Sequence, residues 1–105
     1  MNPERQQFLS LTHLPARLNP EETGWYLAFK TKEIPRLTRA RLLTPLGNPS
    51  RAATKYYAEI DLRRLRNDPA WLHKATQVTL RYWQSVHERQ HKRRKQQRGN
   101  RHSRK

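Results

Sequence analysis

The stretch Leu18-Asn19-Pro20-Glu21-Glu22 decides how the rest of the chain is read. Asn19 is a favoured N-cap, because its side-chain oxygen can accept from the unpaired N–H groups that open a helix. Pro20 suits the first helical position, where its missing N–H costs little. Glu22 stands three residues after the cap, where a carboxylate can reach back to the cap's own N–H. Together they predict a helix from about Pro20 to Ala28, with Trp25, Leu27 and Phe29 supplying apolar contacts near its end.

A second start follows at once. Thr31 can cap a helix over roughly Lys32–Leu42, with Pro35 in its first turn, where the early N–H groups lack intrahelical partners. Ile34, Leu37 and Arg41 fall on one side, and Lys32, Arg36 and Arg39 form a separate row at i, i+4, i+7. The spacing predicts a tight helix pair whose second member turns apolar side chains inward and cations outward. Pro and Gly then punctuate the chain from Leu43 on, and Lys55-Tyr56-Tyr57-Ala58 closes the stretch with strand-favouring aromatics. We expect a two-stranded hairpin there, with a basic loop at its tip.

A short helix over about Asp61–Arg66 follows, and Asn67 or Asp68 caps a long one beginning at Pro69. Trp71, Ala75, Val78, Tyr82 and Val86 make an apolar stripe at helical spacing, widened by Leu72, Thr79 and Trp83. Such a stripe marks a packed face before it marks a base-stacking platform. Apolar residues stop after Val86, so residues 91–105 are expected to form a disordered basic tail. The predicted division is an N-terminal extension over 1–13, a helix-turn-helix body over 14–66, an amphipathic helix over 67–90, and the tail. Phe8, Leu9 and Leu11 could pack the extension loosely on the body.

Charge narrows the function. The chain carries 23 Lys and Arg against 8 Asp and Glu, a net charge of +15 on 105 residues. Residues 87–105 hold nine cations against one acid, but residues 1–86 still hold fourteen against seven, so the body is basic in its own right. A field of that sign attracts a polyanion. No segment approaches the ~18 apolar residues that a membrane span needs. The opening Met1-Asn2-Pro3-Glu4-Arg5 does not read as a signal peptide, so a cytoplasmic, nucleoid-associated protein is expected. No cysteine is present for a disulfide framework or a thiol nucleophile. His87 and His91 share a helix face, but a credible metal set lacks further ligands. No phosphate-cradling loop, nucleophile elbow or paired acids suggest catalysis. We therefore expect no enzyme, no cofactor and no metal.

The order of helix, short turn, helix, hairpin and further helix resembles the winged helix-turn-helix of MerR-type regulators and excisionase-like proteins. The pieces that carry the resemblance are Leu18-Asn19-Pro20-Glu21-Glu22 and Leu27-Ala28-Phe29 around the first helix, and Thr31-Lys32-Glu33-Ile34 entering the second. Arg41-Leu42-Leu43-Thr44-Pro45 leaves the second helix for the wing, and Tyr56-Tyr57-Ala58-Glu59-Ile60-Asp61-Leu62 returns into a helix. The resemblance covers about half the chain. It implies a mainly α fold with a small two-stranded wing, and a DNA-binding protein that acts in transcription regulation or as a mobile-element accessory factor.

On that resemblance, the helix over about 32–42 enters the major groove with Lys32, Arg36 and Arg39 on base edges and phosphates. Lys30 and Thr31 touch backbone phosphate at its start. Asn48, Arg51 and Lys55 form the wing's contact, and Arg93, Arg94 and Lys95 lend sequence-independent phosphate contacts from the tail. Double-stranded DNA is the expected partner, with RNA or a ribosome-associated role as the alternative. The C-terminal helix also offers a face for a homodimer.

Overall fold

The computed structural model describes the backbone of residues 2–103 and the side chains of residues 2–91. The elements run α1 (Pro3–Leu9), β1 (Arg17–Leu18), α2 (Pro20–Leu27), a 3-10 turn (Thr31–Glu33), α3 (Ile34–Arg39), β2 (Tyr57–Ala58), α4 (Glu59–Arg66) and α5 (Pro69–Ser103). The fold is mainly helical with one small antiparallel sheet.

The N-terminal extension is itself helical. Asn2 caps α1 by accepting from the N–H groups of Glu4 and Arg5, and the helix buries Phe8 against Trp25, ring centroids 5.6 Å apart. In α2 the predicted capping box is formed: the Glu22 N–H donates to Asn19 Oδ1 at 2.8 Å, and the Asn19 N–H donates to Glu22 Oε1 at 3.0 Å.

The two helices of the pair stop in the same way. Ala28 turns left-handed at φ 65°, and the Phe29 N–H then reaches back to the Gly24 carbonyl at 2.8 Å. Arg41 does the same at φ 62°, and the Leu42 N–H reaches back to the Leu37 carbonyl at 2.9 Å. Each is a Schellman-type end that satisfies carbonyls left over at the helix terminus. The second of them shortens the expected 32–42 helix. It ends at Arg39, and its start is a 3-10 turn closed by the Lys30 N–H donating to Glu33 Oε1 at 2.7 Å. Arg41 accordingly stands exposed at a reversal, off the apolar side on which the spacing placed it.

The sheet differs from the predicted hairpin. Tyr57–Ala58 pairs with Arg17–Leu18, upstream of the helix pair, in the register Arg17↔Ala58 and Leu18↔Tyr57. Leu43–Tyr56 forms no strand; it is a loop closed by the Leu46 N–H donating to the Tyr56 carbonyl at 2.8 Å. Pro45 and Pro49 have no N–H to give a ladder, and Gly47 and Asn48 both adopt positive φ. Pairing with β1 places both Leu18 and Tyr57 in the core.

Leu18, Ile34, Leu37, Leu62 and Ala75 are almost wholly buried, so β1, α3, α4 and α5 converge on one centre. Helix α4 begins at Glu59, two residues before the predicted start. Asp68 caps α5, accepting from the N–H groups of Ala70 and Trp71. The stripe on α5 packs as its spacing requires: Trp71, Ala75 and Thr79 are buried, while Val78, Tyr82 and Val86 are half-buried along α3. Trp71 Nε1 donates to the Leu42 carbonyl at 2.9 Å, tying α5 to the turn after α3. The α5 backbone is helical to Ser103, past the residue near 90 where the sequence suggested that order ends.

Candidate nucleic-acid interface

Most of the acids within this fold serve its own structure. Glu22 closes a capping box, Asp68 caps α5, and Glu33 accepts from both Lys30 N–H and Trp83 Nε1. Buried Glu59 accepts from Arg63 Nε at 3.0 Å and lies 3.5 Å from the Tyr26 hydroxyl. That pairing raises the Arg63 pKa further above its already high ordinary value. Among the described residues, Arg63 and Arg64 alone lie within ion-pair distance of a carboxylate, on Glu59 and Asp61. The other described cations have no carboxylate within that distance.

Helix α3 sets where part of that charge goes. Ile34 and Leu37 bury one side, so helical geometry points Pro35, Arg36 and Arg39 the other way. Arg39 stands at the crest and lines a groove on each side of the helix. The first groove, about 640 Å³, lies between α3 and the end of the 43–56 loop, where Arg51 and Lys55 join Arg39. Its floor holds Thr38 and Tyr57, whose hydroxyls share a 2.6 Å hydrogen bond. Burial pushes the Tyr57 phenol above its ordinary 10.0, and the bond to Thr38 offsets part of that rise. Lys55 is held by donating to the Arg51 carbonyl at 3.3 Å and the Ala53 carbonyl at 3.5 Å.

The second groove, about 350 Å³, lies between α3 and α5, and there Arg36 and Arg39 meet Arg89. The Arg36 guanidinium lies over the Tyr82 ring, 4.4 Å from its centroid. Among the described residues, no carboxylate lines either groove.

The remaining candidates are placed elsewhere. Lys30 Nζ sits 4.8 Å over the Trp83 ring, and Lys30 and Thr31 border a separate depression beside Arg5. Lys32 is exposed in the 3-10 turn leading into α3. Asn48 is exposed at the tip of the loop with φ 51° and does not line the groove that Arg51 and Lys55 share. The side chains of Arg93, Arg94 and Lys95 lie outside the described residues.

No family model matches the chain, and no curated protein or solved structure matches it either.

Sequence reasoning did not single out Arg89 or Tyr82 for this surface. Arg89 continues the α5 stripe at the same helical spacing, three residues after Val86, and that was the available signal.

Proposed function

We propose that this chain binds double-stranded DNA by seating α3 in the major groove. The observation that carries the reading is the form of the surface: a single helical ridge crested by Arg39, with a cationic groove on each side. An α-helix with its side chains is about 10–12 Å across. The major groove of B-DNA is about 12 Å wide and bounded on both sides by phosphates. A ridge flanked by two unneutralised cation clusters complements that shape. Lys32 and Arg39 supply the guanidinium and ammonium donors that suit guanine O6 and N7.

Arg51 and Lys55 then meet the phosphates of one backbone, where contacts hold register without reading sequence. The resemblance to MerR-type and excisionase-like proteins supports the same assignment, with a role in transcription or on a mobile element. Double-stranded RNA fits the ridge less well, because the A-form major groove is deep and too narrow for side chains to read.

The test compares the full-length chain on duplex DNA and duplex RNA of the same sequence. Preference for DNA, reduced at least several-fold by Arg39→Ala, is the expected result. Equal binding to both, or indifference to Arg39→Ala, would overturn the assignment.

A further inference from the structure

We propose that the cleft between α3 and α5 is a phosphate clamp for the second DNA backbone, built by Arg36 and Arg89 over Tyr82, with the base-facing Arg39 at its rim. The inference rests on the duplex-binding reading and adds a site to it. Three guanidiniums converge on one cleft of about 350 Å³ that no carboxylate lines among the described residues. Among the described residues, none of the three lies within ion-pair distance of an acid. Like charges gathered in this way repel one another until an anion enters between them. Each guanidinium presents five N–H donors in a planar fork that matches two phosphate oxygens at once.

Tyr82 is the positioning residue. Its ring lies under the Arg36 guanidinium at 4.4 Å, so the fork is held flat instead of sampling solvent. Tyr82 is in turn braced edge-on by Trp83, ring centroids 4.9 Å apart. Val78 and Val86 supply apolar walls, which lower the local dielectric and strengthen charge-assisted hydrogen bonds. A doubly shared phosphodiester is the anion that fits. One backbone of the duplex then runs past Arg51 and Lys55, the other past Arg36 and Arg89, with Arg39 between them.

The salt dependence of binding reads this directly. Each neutralised phosphate contributes about 0.9 to the slope of log affinity against log salt on B-DNA. The full-length protein and its Arg89→Ala, Arg36→Ala, Tyr82→Ala and Tyr82→Phe variants are titrated with duplex DNA, with exposed Lys74→Ala as a control. Arg89→Ala is expected to lower the slope by about 0.9 on every duplex sequence, leaving base preference unchanged. Tyr82→Ala is expected to behave like Arg36→Ala, and Tyr82→Phe to bind as the wild type, since the ring face is what holds Arg36. Arg89 is exposed, so its variant tests the clamp without disturbing the core.

An unchanged slope for Arg89→Ala, alongside weakened binding by Arg39→Ala and Arg51→Ala, overturns the clamp and leaves the duplex reading standing. Absence of duplex binding by the wild type overturns both.

Discussion

Trp83 Nε1 donates to the Glu33 carboxylate across 2.8 Å, joining α5 to the turn that opens α3. Glu33 is buried, and its other oxygen accepts from the Lys30 N–H. Both carboxylate oxygens are therefore occupied by donors from different parts of the chain. Trp83→Phe keeps an aromatic ring, though a smaller one, and removes the donor, so one oxygen of a buried charge loses its partner. The expected cost is about 2 kcal/mol of unfolding free energy, read from urea denaturation. A midpoint equal to that of the wild type would show that the bond contributes nothing.

Two substitutions in the last turn and at the C-terminal end of α2 are expected to run against ordinary helix propensity. Ala28→Gly should stabilise the protein by about 1 kcal/mol, because the left-handed backbone at φ 65° strains any residue with a Cβ. Gly24→Ala, which in an average helix interior helps by about 1 kcal/mol, should instead destabilise. A Cβ there would stand 2.6 Å from the Phe29 carbonyl oxygen, in a turn fixed by that residue's own N–H bond to Gly24. Thermal melts of the two variants check both signs.

Alkaline pH should weaken the fold through Tyr57. Its folded pKa is raised by burial above the ordinary 10.0, so the folded state keeps a proton that the unfolded chain gives up. The associated stability is complete below about pH 10 and is lost as pH rises through the folded value. Tyr57→Phe removes the titration, at a cost near neutrality of about 1 kcal/mol for the lost bond to Thr38. Denaturation of both proteins at about pH 9 and about pH 11 should show the wild type losing more than the variant. Equal losses would mean that Tyr57 does not couple to folding.

What the sequence made legible was local. The Asn19–Glu22 capping box, the Pro69 start and the α5 stripe each lie within a few turns of helix, where residue spacing dictates geometry. The pairing of Arg17–Leu18 with Tyr57–Ala58 was not legible, because two residues carry no alternation and the partner lies across the whole helix pair. The early stop of α3 was hidden as well: Arg41 takes a left-handed turn where a sequence reader looks for Gly.

The cation row divides for a similar reason. Spacing put Lys32, Arg36 and Arg39 on one outward face, yet Arg36 is drawn onto Tyr82 and Lys30 onto Trp83. Those partners come from α5, and no feature near residues 30–39 announces them. Electrostatic bookkeeping was readable only as a net charge. Which acids would be consumed by caps and by Arg63 depended on the fold.

The central claim is that α3 enters the major groove, and a blocked duplex tests it most directly. The full-length protein is titrated with a duplex whose cytosines carry glucosylated hydroxymethyl groups, which fill the major groove and leave the phosphates in place. The unmodified duplex of the same sequence is the reference. Measured at about 200 mM salt, where contacts to phosphate alone are weak, affinity for the blocked duplex should fall about tenfold or more. Equal affinity for blocked and open duplexes would contradict the account and leave binding to the phosphate backbone alone.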